Sequence, residues 1–188
     1  YNQINNPGLQ KFGMALGQKK HFKSLSLCFC RCCEIDHYGI LPFSHHLLRL
    51  NKLSYLALGF PACDRVSDLA VKGIAKLIQR LKNLSYLALD GSATDNVSDV
   101  GLDSLATALN KTRSQIKQLT LQFSINRCMT DRGIANLSRC ISQLESLRSL
   151  NLGCSSQNLN SGMLLGEEIR SLKFVDSLTF RFYHMGKE

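Results

Sequence analysis

Tryptophan is absent from this chain, and proline occurs only three times in 188 residues. Surface aromatics are therefore scarce, and any aromatic anchor must come from tyrosine or phenylalanine. No apolar run reaches the roughly eighteen residues that a membrane-spanning helix requires, so no membrane span is expected. Acidic residues are the scarcer sign of charge: 14 against 23 basic ones, a net charge of +9. That balance admits acidic partners, nucleic acid included, without requiring them. A glycine-rich phosphate loop is missing, and so is a helix carrying two histidines around a glutamate. Tyr1 to Asn6 shows no charged start leading into an apolar stretch, so no secretory signal is read there. An intracellular, cytoplasmic protein is expected, in which the eight cysteines stay reduced.

What is present is a repeat. The pattern runs Phe22-x-x-Leu25-x-Leu27, Leu53-x-x-Leu56-x-Leu58, Leu84-x-x-Leu87-x-Leu89, Ile116-x-x-Leu119-x-Leu121, Leu147-x-x-Leu150-x-Leu152 and Val175-x-x-Leu178-x-Phe180. The starts lie 31, 31, 32, 31 and 28 residues apart. A fixed period in this range marks a solenoid. The repeats span 22–52, 53–83, 84–115, 116–146 and 147–174, with partial units at 1–21 and 175–188. They read as one continuous array. Both ends fall inside a unit, so a segment of a longer protein is expected.

Each unit reads as strand, loop and helix. Counted from the first apolar residue, positions 4 and 6 alternate as in a strand. Position 8 is Phe29, Phe60, Phe123 and Phe182, which predicts a strand with three inward residues. Position 14 is apolar: Ile35, Val66, Val97 and Met129. Position 15 holds Asp36, Ser67, Ser98, Thr130 and Ser161, all able to accept from free N–H groups at a helix start. Asp68, Asp99 and Asp131 follow, where negative charge suits the helix dipole. Positions 19, 22 and 26 form one helical stripe, as in Val71, Ile74 and Ile78, with Leu165 and Leu172 in the fifth repeat. Gly39, Ala70, Gly101 and Gly133 precede the stripe and predict close packing of helix on sheet. The same frame runs backward to cap Asn5, Pro7 in the first turn, and stripe residues Leu9, Phe12 and Leu16.

These units resemble leucine-rich repeats of the ribonuclease-inhibitor-like class. The motif L-x-x-L-x-L carries the resemblance, followed by segments such as Val97-Ser98-Asp99-Val100-Gly101-Leu102 and an apolar-striped helix. Long divergent arrays of this kind also resemble those common in protists such as ciliates. The resemblance implies an α/β fold, a curved right-handed coil with parallel strands concave and helices convex. It implies protein binding rather than catalysis. One departure stands out: the family's asparagine at position 9 is replaced by Cys30, Pro61, Ser92, Ser124, Ser155 and Tyr183. The hydrogen bonds of that turn must then come from serine, cysteine or water.

If positions 4 and 6 face inward, positions 2, 3, 5 and 7 face the concave side or its edge. Position 3 supplies Tyr55, Tyr86 and Gln118, and position 2 supplies Lys23, Lys117 and Arg148. Aromatic and arginine side chains together are favoured interface anchors, so these six are the candidate partner-binding residues. Lys72, Lys76, Arg80 and Lys82 read as a solvated helix face without the aromatic interleaving that single-stranded nucleic acid needs. Cys28-Phe29-Cys30-Arg31-Cys32-Cys33, with His37, His45 and His46 nearby, does not match zinc-finger spacing. Cys28 and Cys30 project to one side of an extended strand, and Cys32 repeats as Cys63, a small apolar filler. No metal, cofactor or catalytic residue is assigned.

The expectation is a non-enzymatic scaffold within a multi-subunit assembly, cytoskeletal or organellar settings included, that binds a protein through its concave sheet. The alternatives are an RNA-associated subunit of a ribonucleoprotein, or a regulatory array attached to an enzyme or GTPase domain.

Overall fold

The computed structural model describes residues 4–156, 170 and 172–184. Among these residues helix and strand alternate from α1 to β5, and β6 follows: α1 (Asn6–Gly17), β1 (Ser24–Cys28), α2 (His37–Leu47), β2 (Tyr55–Gly59), α3 (Asp68–Arg80), β3 (Tyr86–Asp90), α4 (Asp99–Lys111), β4 (Gln118–Phe123), α5 (Asp131–Ser142), β5 (Ser149–Ser156) and β6 (Ser177–His184). The six strands form one parallel sheet in chain order. Equivalent repeat positions are in register throughout: Ser24, Tyr55, Tyr86, Gln118, Ser149 and Ser177 share one row, and the position-4 leucines the next. The fold is an α/β solenoid of the leucine-rich-repeat kind. Strands pack about 4.8 Å apart and helices about 8–10 Å apart, so one strand and one helix per turn force the sheet to the inside of the bend.

The core lies between the layers. Leu56, Leu87, Leu119 and Leu150 are buried, as are Phe29, Phe60 and Phe123 at position 8 and Ile35, Val66, Val97 and Met129 at position 14. The helical stripe is buried as expected in α2 to α5. Strands β1 to β3 end one residue before position 8, so its side chain points inward from the turn rather than from the strand. In the third repeat position 8 is Gly91, and Phe123 leans across it: a Cβ there would lie 2.8 Å from the Phe123 ring. A cavity of about 20 Å³ remains among Leu58, Phe60, Ile74, Leu89 and Phe123.

Three inward assignments are corrected. Leu178 is 42% exposed, because β6 pairs only with β5 and no helix covers it among the described residues. Phe12 is 38% exposed on α1, which packs on α2 with no strand of its own unit beneath it among those residues. Leu172 is part-buried but lies outside any helix. Ser161, Leu165 and the side chain of Phe182 lie outside the described residues.

The helix caps follow the sequence at Asn5, Asp36, Ser98 and Thr130, each accepting from a first-turn N–H. Ser67 sits at the cap of α3 without that bond. The residue after the cap has a role that the dipole argument missed. Asp68 Oδ1 accepts from the N–H groups of Ser98 (2.8 Å) and Gly101 (2.9 Å), and its Oδ2 from the Ser98 hydroxyl (2.7 Å), all one repeat later. Asp99 likewise accepts from the Thr130 N–H (2.8 Å) and hydroxyl (2.6 Å). Asn6 bonds Asp36 in both directions. A polar ladder therefore ties the start of α1 to that of α2, α3 to α4, and α4 to α5.

That ladder explains the small residues. A Cβ on Gly39 would meet Asn6 Oδ1, one on Gly101 would lie 2.7 Å from Asp68 Oδ1, and one on Gly133 would meet Asp99 Oδ1. The glycines make room for the preceding repeat's carboxylate or amide, and not for the sheet. The exception fits: His37 occupies the ladder position before α3, the Ser67 side chain makes no cap bond, and Ala70 replaces glycine.

The turn after each strand is closed in an equally local way. Arg31, Ala62, Ala93 and Ile125 at position 10 have φ of 54–57°, a left-handed conformation that non-glycine residues rarely adopt. It turns the N–H of Arg31, Ala62 and Ala93 onto the position-9 carbonyl of the next repeat at 2.8–2.9 Å. The substitute for the family's asparagine sits at position 11, two residues later than expected. There the Cys63 thiol donates to the Phe29 carbonyl at 2.9 Å, the Thr94 hydroxyl to Gly91, and the Asn126 amide to the Thr94 carbonyl at 2.6 Å. Serine at position 9 contributes one hydroxyl pair, Ser92 with Ser124 at 3.2 Å.

Candidate functional site

Strand alternation sends positions 3, 5 and 7 to the face opposite the helices. Tyr55 and Tyr86 are register partners there, and their rings stack with centroids 4.0 Å apart and planes 9° apart. A hydrogen bond with the Tyr86 phenol, then burial, holds the Tyr55 hydroxyl above its ordinary titration range. Beside the pair the face is low: Ala57 and Ala88 occupy position 5, and Gly59 lies between Cys28 and Asp90 at position 7. Small residues there leave the tyrosine rings standing above a shallow apolar step. Sequence reading pointed at the tyrosines and missed the step, although the signal, alanine and glycine at outward positions, was in the repeat.

Gln118 continues the tyrosine row on β4 and is exposed. Lys23, Lys117 and Arg148 lie one residue before their strands, at the sheet's N-terminal edge, and all three are exposed. Backbone bonds fix their spacing: the Lys23 carbonyl accepts from Ser54 N–H at 2.8 Å, and the Lys117 carbonyl from Arg148 N–H at 2.8 Å. Lys117 and Arg148 are therefore lateral neighbours, and Lys23 flanks the tyrosines from the other side. Arg148 is also held in place. Its guanidinium lies 5.3 Å from the Phe174 ring centroid and donates to the Leu147 carbonyl at 3.1 Å. Towards β6 the face turns polar, with Asn151 Oδ1 accepting from Gln122 (3.2 Å) and Arg181 (3.1 Å).

Lys72, Lys76 and Arg80 lie on α3, away from this face. Cys28, Cys30, Cys33 and Cys128 are exposed free thiols. Strand β1 ends at Cys28, so Cys30 belongs to the turn, and the extended-strand projection expected for it does not apply. Among the described residues no group of three or more His, Cys, Asp or Glu side chains is placed to hold a metal ion. Cys32 and Cys63 are buried at position 11, the filler role expected of them with a hydrogen bond added at Cys63.

Burial pushes the Cys63 thiol up to about 12 and the Cys154 thiol up to about 11, from an ordinary 9.0. Both stay protonated and unreactive at neutral pH. Iodoacetamide at pH 8 is expected to label Cys30, Cys33 and Cys128 first, and Cys63 and Cys154 only after unfolding, as read by peptide mass spectrometry. The unfolded thiols ionise at lower pH than the folded ones, so the stability that they contribute is full below pH 9 and declines as pH rises towards 12. Urea midpoints that stayed level from pH 8.5 to 11 would contradict this.

No protein-family model matches the sequence, and no curated protein matches it. Among solved structures, a chain of the Rad7 and Elc1 complex in yeast superposes over 96% of this chain with a TM-score of 0.58 and 18% sequence identity. The superposed part is 43% of that chain, so the present chain spans less than half of its length. The likeness is one of fold, and the fold is the leucine-rich-repeat solenoid.

Proposed function

We propose that this chain is a non-enzymatic protein-interaction scaffold that binds its partner through the open face of the sheet. The observation that carries the reading is the stacked Tyr55–Tyr86 pair, raised above Ala57, Ala88 and Gly59 on a face with no helix over it among the described residues. Two rigid aromatic rings present large contact area at low entropic cost, which is why tyrosine is enriched where interfaces concentrate their energy. The solenoid supports the reading in general terms, since stacked repeats create an extended surface. One structural neighbour was crystallised as a complex of two proteins. The exposed free thiols of Cys28, Cys30, Cys33 and Cys128 accord with a reducing, intracellular compartment. Attachment to a larger assembly, or to a catalytic domain that the array would regulate, belongs to the same proposal.

The test is comparative capture from an extract of the source organism. The native chain and a Lys72→Glu, Lys76→Glu variant are expected to retain the same protein. The Tyr55→Ala, Tyr86→Ala variant is expected to lose it, with affinity down tenfold or more. The reverse pattern would overturn the sheet-face reading. An RNA-associated role rests only on the net charge of +9 and predicts a different signature, affinity falling steeply with salt for any RNA sequence.

A further inference from the structure

We infer that the tyrosine pair and the cations flanking it form a site for an extended acidic peptide, one that places an apolar residue on the rings and a carboxylate on either side. The inference rests on the sheet-face reading above and deepens it by naming the partner's chemistry. Along the strands' N-terminal edge the order is Lys23 on β1, the tyrosines on β2 and β3, Lys117 on β4 and Arg148 on β5. No acidic residue stands at positions 2 and 3 from β1 to β5; Asp176, before β6, is the first. Among the described residues Lys23, Lys117 and Arg148 form no ion pair, so they carry their charge into this face without a bound carboxylate.

The geometry sets the ligand's spacing. Strands about 4.8 Å apart put Lys23 and Lys117, three strands from each other, about 14 Å apart. An extended peptide advances about 3.3 Å per residue, so carboxylates about four residues apart reach both cations. The residue between them then falls over the stacked rings. Arg148 is preorganised by Phe174 and its own backbone contact, which lowers the entropy lost on pairing. A nucleic acid fits this layout less well. The two rings cover one face of each other at 4.0 Å, so they give bases no continuous stacking platform. The cations also bracket the aromatics instead of tracking a backbone.

The experiment uses fluorescence anisotropy with the whole chain and a panel of Gly/Ser-flanked peptides. Each carries a central Leu or Phe and two Glu residues separated by one to eight positions; matched peptides carry Lys for Glu, and a uridine 12-mer serves as the polyanion control. Binding is expected to peak at a separation of three to five, to favour Glu over Lys tenfold or more, and to weaken with salt. Lys117→Glu with Arg148→Glu is expected to reverse the preference. Both residues are exposed, so folding should persist, and circular dichroism checks that. Peptide binding lost in Tyr55→Ala, Tyr86→Ala but indifferent to peptide charge would overturn the acidic chemistry while leaving the sheet face intact. Glu-peptide binding lost only on Lys72→Glu, Lys76→Glu would overturn both. Tighter binding of the uridine 12-mer than of every Glu peptide, or binding of no peptide at all, would also overturn the inference.

Discussion

Leu119→Ala is expected to lower the free energy of unfolding by about 2–5 kcal/mol, and Leu56→Ala by a similar amount. Leu119 is 1% exposed, in register between Leu87 and Leu150 in the middle of the sheet. Removing its isobutyl group loses apolar burial and leaves a void. The void closes poorly because both neighbouring strands are pinned: Lys117 N–H donates to Ser85 and Arg148 N–H to Lys117, each at 2.8 Å. Leu178→Ala removes the same atoms at the same repeat position but from a side chain 42% exposed, so its expected cost is below about 1 kcal/mol. Urea titration of the two variants makes the comparison. Equal losses would mean that the repeat pattern sets the energetics without regard to stacking.

The second large effect is in the helix-start ladder. Asp68→Ala removes the acceptor of three bonds from the next repeat, and Gly101→Ala drives a Cβ to 2.7 Å from that carboxylate oxygen. Each is expected to cost about 1–3 kcal/mol, the range for charge-assisted bonds and the donors that their loss strands. The costs should not add. Once Asp68 is truncated, the nearest obstacle at Gly101 is gone and only Val97 Cγ1, at 3.0 Å, crowds a new Cβ, so Gly101→Ala should cost less in the Asp68→Ala background. Double-mutant analysis by denaturant titration reads that coupling, and strict additivity would contradict the ladder. The converse change is a gain. His37→Asp with Ala70→Gly restores the rung between α2 and α3 and gives Ser67 its partner, for about 1 kcal/mol of added stability. His37→Asp alone should give less, since the Ala70 methyl occupies the space.

The repeat made the strand and helix positions legible because each core residue is specified by a period. Register followed from the same cause: equal unit lengths bring Tyr55 beside Tyr86 without any further information. The caps were readable because hydrogen-bond acceptors stand at one fixed position. What failed had a shared cause as well. Asn126 was overlooked because the closing polar group sits at position 11, after a left-handed residue that Arg31, Ala62, Ala93 and Ile125 show can be almost any type. The glycines were assigned to the sheet because the side chain that they accommodate belongs to the preceding repeat, 33 or 34 residues earlier.

The sequence by itself determined the solenoid, the inward leucines and the row holding the two tyrosines, since local periodicity dictates which side of a strand or helix a residue faces. Tertiary structure alone decided the rest: that the rings stack, that Arg148 leans on Phe174, that aspartates reach across to the next helix, and that Leu178 meets water. Each of these is a relation between neighbouring turns, and such relations depend on the distance and orientation of groups that no single repeat contains.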